Sequence, residues 1–357
     1  NELSILSSGQ LDFLFITGGL GPTHDDITRN SIKDFYELDE GFDTNYYDIL
    51  KLRFKERGIN ISESNKTQAI IYYNCEMLPN PKGTAKGLFI NNNGIKVFVL
   101  PGVPVEMKAI FENSILNYLP TEKISPTLTL KAFGISESSL AEKLSNILTF
   151  WQPKIKFAFL PSHRGVNLRL SNFDNPHIAL SEVADEIIES YGHYFYGINS
   201  DTLEKNVVNG LIEKKLTLSV AESCTGGQVA NYITNVEGSS AVFLGGVVAY
   251  SNQLKIDFLG VSKNNLDEFG AVSVDVAIQM ANGIREKTKS DIGIGITGIS
   301  GPSGDSIEKP LGLVFIAISG NNFTKVKKII IKIDRIMHQE MTAYIALNMI
   351  RRYYLEK

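Results

Sequence analysis

The sequence predicts an α/β protein of three segments: a doubly wound N-terminal domain over 1–122, a small α+β domain over 123–199 and a C-terminal α/β domain over 200–357. Three observations predict it. The 357 residues exceed what one hydrophobic core normally serves. At both ends of the chain apolar strand patterns alternate with amphipathic helix patterns. Several of those strands run into glycine-rich turns that open helices, which marks α/β layering with ligand sites at the carboxyl edge of the sheet.

The chain starts at Asn1 with a helix-like stretch, ELSILSS, running into LDFLFI. A doubly wound domain normally opens with a strand and a crossover before such a helix, so the first domain is expected to lack its start. The strand Asp12–Ile16 ends in TGGLGP, GTAKG forms a loop between Pro81 and Leu88, and the strand Lys96–Leu100 ends in PGVP before a helix near Val105. From Ser125, TLTLKAFGI reads as a strand, ESSLAEKLSNILTFW as an amphipathic helix, VNLRLSN as a strand and HIALSEVADEIIESYG as a helix. That unit of roughly 70 residues has the size of a small domain. It shows no GxxG loop of the kind that clamps nucleotides, and its SHRGVNLRL stretch reads as scaffolding. The C-terminal segment reads as helix TLEKNVVNGLIEKK, strands LTLSVAES and AVFLGGVVAYS, helix SVDVAIQMANGIREKT, strands DIGIGITGIS, LGLVFIAIS and KVKKIIIKID, and a helix from about Ile336.

Hydrophobic residues at 43% and charged residues at 21% are ordinary for a soluble globular chain. A net charge of −4 argues against a broad phosphate-neutralising face, so no direct nucleic-acid partner is expected. Cys75 and Cys224 lie far apart, in neither a disulfide framework nor a structural zinc spacing, and a cytoplasmic location fits. No apolar run is long enough to span a bilayer and no signal peptide is visible, so no membrane partner is expected.

The densest chemical signal is AESCTGG, Ala221–Gly227. An apolar strand delivers Glu222 and Ser223 to a turn, where a serine hydroxyl is exposed and the N–H groups near Thr225 and Gly226 can hold an oxyanion. Gly226 and Gly227 let a ligand approach the backbone. Ser223 or Thr225 serving only as a helix cap is an equally good reading of this segment alone. The strand AVFLGGVVAYS ends near Tyr250, Ser251 and Lys255, and it shares a sheet edge with Ser223 if the two strands run parallel. A lysine within apolar walls loses proton affinity and can serve as a base for serine, whereas an isolated lysine is usually a solvated surface residue. None of the five histidines, His24, His163, His177, His193 and His338, lies in these turns, so a Ser–His–Asp triad has little support. Cys224 ranks second as nucleophile and reads better as a small buried residue. The loop Thr297–Gly312, with Thr297, Gly298, Gly301 and Gly304, has the composition of a phosphate cradle or of a plain turn. In the first domain, Thr17, Gly18, Gly19 and Gly21, with Pro101 and Gly102 of PGVP, read as a nucleotide-binding edge. Asp25 and Asp26 beside it suit a Mg²⁺-type ion shared with ligand oxygens, or simply an acidic helix start.

Taken in order, TGGLGPTHDDIT, LPGVPVEM, AFGISESSL, VNLRLS, AESCTGG, GGVVAYSNQLK, GAVS and GITGISGPSGDSIEKPLG resemble the CinA family of competence/damage-inducible proteins over essentially the whole chain. The resemblance implies a molybdopterin-binding-like first domain linked to metal-dependent ADP-ribose pyrophosphatase activity, a KH-type middle domain, and a C-terminal domain similar to nicotinamide mononucleotide (NMN) deamidase. It places that family's serine and lysine on Ser223 and Lys255, needs no cofactor for deamidation, and implies a homodimer. The expected reaction gives nicotinate mononucleotide and ammonia, with the substrate phosphate against Gly298–Gly304. The alternatives are a metal-dependent ADP-ribose pyrophosphatase in the first domain, or a non-catalytic nucleotide-binding competence/damage-response protein. Lys86 stands where the family usually has proline. Asp334 and Arg335 match a family motif, and Gln339 holds the place of a following arginine.

Overall fold

A computed structural model describes residues 11–120, 126–152, 154–172 and 179–355. The helix-like stretch at the start of the chain lies outside these residues. Two compact units form, Asn1–Lys123 and Ile124–Lys357, the second holding both the middle and the C-terminal segments.

The first unit contains β1 (Phe13–Thr17), α1 (Thr28–Phe35), β2 (Glu40–Phe42), α2 (Thr44–Glu56), β3 (Ile70–Tyr72), β4 (Glu76–Leu78), β5 (Gly87–Asn92), β6 (Ile95–Leu100) and α3 (Pro104–Ile110). Its main sheet has the order β1-β6-β5-β4, and only β1 and β6 pair in parallel. Asn93 and Gly94, with φ of 51° and 92°, make the tight β5–β6 turn, as left-handed residues do in two-residue hairpins. Lys86 reaches Asp43, the cap of α2, at 2.9 Å and lies over the Tyr46 ring, which ties the GTAKG loop to that helix.

The second unit begins with β7 (Thr127–Ala132), α4 (Glu137–Trp151), β8 (Lys156–Ser162), β9 (Gly165–Ser171), α5 (Leu180–Tyr191) and β10 (Phe195–Ile198). The antiparallel sheet β10-β7-β9-β8 packs against the apolar stripes of the two helices, Leu140, Leu144 and Leu148 on α4 and Leu180, Val183 and Ile187 on α5.

There follow α6 (Leu203–Lys214), β11 (Leu218–Glu222), α7 (Gln228–Thr234), β12 (Phe243–Val248), α8 (Asn252–Leu259), α9 (Lys263–Phe269), α10 (Val274–Thr288), β13 (Ile292–Gly298), β14 (Leu313–Ser319), β15 (Thr324–Ile330) and α11 (Arg335–Ile350). The sheet runs β12-β11-β13-β14-β15, with β12, β11 and β13 parallel and the last two strands antiparallel. Alternation along the strands builds two cores. Val314, Ile316 and Ile318 join Val207, Ile233 and Leu347 on one face, while Leu313, Phe315 and Ala317 meet Ala277 and Ala281 of α10 on the other.

Phe133 and Tyr196 enter the first of these cores, and Arg351 donates to the Phe195 and His193 carbonyls at 2.9 Å each, which explains why the two segments form one unit. The β8–β9 hairpin adds to this join. His163 lies 2.8 Å from Glu340 of α11, and the Arg164 guanidinium stacks over Tyr232 of α7 and Tyr344 of α11.

Glycines on β13 let α10 approach. A Cβ on Gly295 would lie 2.2 Å from the Ala277 carbonyl oxygen and 2.5 Å from the Ala281 nitrogen. Gly295→Ala is therefore expected to destabilise the second unit by about 1–3 kcal/mol through forced separation of helix and sheet, read as a lowered midpoint in chemical denaturation. An unchanged midpoint would show that the helix shifts freely. Among the described residues no helix is long and apolar enough to cross a membrane.

Candidate functional site

The parallel register of β11 and β12 sets Glu222 beside Val248, so the chain segments leaving both strands emerge at one edge. Beyond β11, the Ser223 N–H still extends the ladder to Ile296 O at 3.0 Å. The chain then turns sharply through Gly226 and Gly227, whose φ values of 63° and 99° favour glycine. Beyond β12, Ser251 caps α8 by accepting from the Leu254 N–H at 3.1 Å. The first turn of α8 carries Lys255 back beneath Ser223.

Lys255 is only 1% exposed. Its Nζ lies 2.7 Å from Ala249 O, 3.3 Å from Tyr250 O and 3.2 Å from Ser223 Oγ. Among the described residues no carboxylate pairs with it. Burial lowers its pKa from the ordinary lysine value, favouring the neutral amine. A neutral amine has two hydrogens, which the two carbonyls accept, and one lone pair, which is left facing the serine hydroxyl.

Glu222 does not face a ligand. Its carboxylate accepts from the N–H groups of Gly227, Val229 and Ala230 at 2.9–3.2 Å and so caps α7 from the strand before it. Ser223 is thereby left uncommitted as a cap. The Gly226 N–H, expected to face an oxyanion, turns back to Ser223 O at 3.2 Å, and the Gly227 N–H is held by Glu222. Among the described residues, the turn's N–H groups without an acceptor are those of Cys224 and Thr225. Burial pushes the Cys224 thiol up to about 12, so it is no thiolate at neutral pH.

A cavity of about 260 Å³ opens over this pair, lined by Ser223, Tyr250, Asn252, Lys255 and the 297–304 loop, with Arg335 at its rim. Of the residues singled out in sequence, Ser223, Cys224, Tyr250, Lys255, Thr297, Gly298, Gly301, Gly304 and Arg335 line it, while Glu222, Thr225, Gly226 and Gly227 are not among its lining residues. Arg335 donates to Gly301 O at 2.7 Å and to the Tyr250 hydroxyl at 3.2 Å, joining three separate stretches of chain at the cavity mouth. Asn252, Ser300 and Ser303 also line it and were not singled out. His338 is brought to the same loop through space, 2.9 Å from Ser300 Oγ. Gln339, one residue further along α11, donates to Cys224 O at 2.9 Å.

In the first unit, parallel pairing sets Thr17 beside Leu100, and Gly18 N–H donates to Leu100 O at 2.9 Å. Gly102 and Gly18 meet there, a Cβ on Gly102 lying 3.2 Å from the Gly18 Cα. Thr17, Gly18, Pro101 and Gly102 thus share one sheet edge. Gly19 takes a φ of 68° and a Cβ there would strike the Thr28 side chain at 2.3 Å, whereas at Gly21 it would meet only the carboxylate end of Asp26.

The two aspartates are engaged locally. Asp26 accepts from the Thr23 hydroxyl and N–H, which holds its carboxyl below the usual range, and exposed Asp25 lies 2.8 Å from His24. Among the described residues no group of three or more His, Cys, Asp or Glu could hold a metal ion. The pair alone forms no metal cage.

Fold and site together define a class: an α/β protein with a molybdopterin-binding-like first domain, a small α+β segment, and a serine–lysine pair at the carboxyl edge of a mixed sheet. Residues 1–121 match the family described as probable molybdopterin binding domain, 127–197 the damage-inducible protein CinA KH domain, and 200–354 the CinA C-terminal domain. A putative competence-damage inducible protein of Caldicellulosiruptor saccharolyticus is 39% identical over 96% of this chain and 84% of its own length. A CinA-like protein of Kosmotoga olearia is likewise 39% identical, over 96% and 85%. A solved structure of a competence/damage inducible protein from Agrobacterium tumefaciens is 39% identical, covers 41% of this chain and 90% of its own, and has a TM-score of 0.41. The chain belongs to the CinA family of competence/damage-inducible proteins.

Proposed function

We propose that the C-terminal site is a nicotinamide-nucleotide amidohydrolase that converts NMN and water to nicotinate mononucleotide and ammonia. The observation that carries the reading is the desolvated Lys255 amine 3.2 Å from Ser223 Oγ, with its other hydrogen-bonding capacity taken up by two carbonyls. Ser223 Oγ attacks the carboxamide carbon while Lys255 takes its proton. The N–H of Cys224, which lines the cavity beside Ser223, receives the oxyanion. Collapse breaks the C–N bond, Lys255 returns the proton to the departing ammonia, and a nicotinoyl ester remains on Ser223. Water, deprotonated by Lys255, then cleaves the ester and restores the serine.

The cavity, just below the roughly 300–1,000 Å³ range of small-molecule sites, suits a compact polar ligand. Arg335 offers its guanidinium to the nucleotide phosphate, and the exposed Tyr250 ring offers a face to the cationic pyridinium. Arg335→Ala is expected to raise KM for NMN about tenfold or more, the worth of a charged hydrogen bond, with a smaller effect on kcat. A KM equal to that of wild type would remove Arg335 from phosphate binding.

The test is incubation of the purified chain with NMN, reading ammonia and nicotinate mononucleotide together. Saturable binding of NMN without either product would favour a non-catalytic nucleotide-binding role. A parallel incubation with ADP-ribose, with and without divalent metal, probes the first unit.

A further inference from the structure

We propose that the groove between β15 and the C-terminal end of α11 is a second ligand site, built for a nucleoside phosphate. It shares no residue with the cavity over Ser223 and stands independently of the amidohydrolase reading.

The groove has a volume of about 630 Å³, within the roughly 300–1,000 Å³ range of small-molecule sites. Its walls come from the turn after β7, the start of β15, the last turn of α11 and the residues just beyond it. The pleat of β15 decides which lysines enter. Lys325 pairs with Ile318 and Lys327 with Ile316, both on the core face that α11 covers. Lys328 pairs with Phe315 and so belongs to the opposite face. Arg352 adds a guanidinium to the groove, held by donation to His193 O at 3.0 Å.

Among the described residues no Asp or Glu lines this groove, in a chain whose net charge is −4. Lys325 and Lys327 have no carboxylate partner there either. Lysines on an edge strand also deter pairing with another chain, and Lys328 serves that end from the outer face. Edge protection does not account for two lysines side by side in a concave wall without a carboxylate. About 7 Å of strand separates their Cα atoms, so both long stems can bring an ammonium to one phosphate or diphosphate.

A neutral donor sits beside them. Asn348 Oδ1 accepts from Arg351 Nε at 3.1 Å and from Nη2 at 2.9 Å, which fixes the orientation of the amide. Its Nδ2 is left toward Gly134, where a Cβ would lie 3.5 Å away. Gly134, with a φ of 81°, carries no side chain to cover that donor, which has no acceptor among the described residues. Phe323 and Tyr353, partly buried with ring centroids 6.2 Å apart, give the groove an aromatic surface. Ammonium groups for phosphate, an amide N–H for a ribose or base oxygen and rings for a flat base together match a nucleoside phosphate.

The experiment photolabels the full chain with 8-azido-ADP and locates the label by peptide mass. Affinity is read as the concentration of unlabelled ADP, pyrophosphate or adenosine that halves labelling. The label is expected within residues 323–328 or 348–353, and Arg335→Ala leaves it there, which separates the groove from the cavity over Ser223. Lys325→Glu and Lys327→Glu are each expected to weaken ADP about tenfold or more, the worth of one charged hydrogen bond. Lys328→Glu makes the same change of net charge on the other face and leaves the affinity unchanged. Tyr353→Ala weakens ADP about fivefold or more, as loss of a stacking ring does, and leaves pyrophosphate as it was.

Label confined to other peptides would overturn the proposal. So would equal losses in Lys325→Glu and Lys328→Glu, since the lysines would then act through net charge alone. Pyrophosphate that competes as well as ADP would strike the nucleoside from the assignment. Should Tyr353→Ala fail to fold, that comparison in wild type decides the part of the rings.

Discussion

Ser223→Ala is expected to lower the rate of ammonia release from NMN by about 10⁴-fold or more, the scale on which loss of a nucleophile acts in enzymes with a serine acyl intermediate. Nothing else in the site depends on that hydroxyl. The residue's backbone N–H stays bonded to Ile296 O, Glu222 still caps α7, and Lys255 keeps its two carbonyl acceptors. The variant should therefore unfold at the wild-type temperature and bind NMN with wild-type affinity by calorimetry. A variant that turns over normally would leave Ser223 as scaffolding and transfer attack to water or to another group.

Lys255→Met is expected to be comparably inactive, because the methionine keeps most of the stem volume and lacks the lone pair. Its pH behaviour separates a base from a structural lysine. In wild type the rate rises with pH as the buried ammonium loses its proton, at a pH below the ordinary lysine value of 10.5, and then levels. Stability carries the same signature. The folded-state pKa is depressed, so between it and the unfolded value the unfolded chain holds more protons, and stability rises with pH across that window. Below the folded pKa the full penalty of burying the cation is present. Lys255→Met lacks this slope. Denaturant titrations of both proteins across the alkaline range read it, and parallel stability curves would mean that Lys255 is not desolvated in solution.

Much of this site is legible in the sequence because its parts are local. A strand that ends in Glu222–Ser223 and glycines announces a turn, and a second strand that ends at Tyr250 with Lys255 beyond it supplies an amine at the same edge once the strands run parallel. The 297–312 loop shows itself by composition. What escapes is whatever depends on contacts across the fold. His338 meets Ser300 from 38 positions away, and within the final helix it reads as one more core residue. The cue was its spacing, since Arg335, His338 and Gln339 share the first turns of a helix that Asp334 caps. Glu222 was placed with the ligand because strand periodicity cannot reveal that its carboxylate folds back onto three N–H groups of α7.

Strand direction was also beyond the pattern. β14 and β15 are as apolar or as alternating as a parallel strand would be; the short 320–323 connection marks the β14–β15 return as antiparallel, but the long 299–312 loop leaves the direction of β14 open to the pattern. The β5–β6 hairpin carries a strong local turn signal in Asn93–Gly94, which a plain alternation of strands and helices does not accommodate. The middle segment reads correctly as a small α+β fold, and its contacts with the C-terminal segment are not visible in the pattern. Phe133, Tyr196 and Arg164 look like ordinary residues of that segment until the aromatic rings and carbonyls they meet are known.

The most direct measurement is acid quenching of the purified protein with NMN within the first turnovers, followed by mass analysis of the peptide that carries Ser223. A serine that attacks the carboxamide while an uncharged lysine removes its proton must pass through a nicotinoyl ester, so the peptide should gain the mass of one nicotinoyl group, and neither Ser223→Ala nor Lys255→Met should yield it. Ammonia released at full rate with no adduct, and with hydrolysis unharmed in the Ser223→Ala protein, would contradict the account.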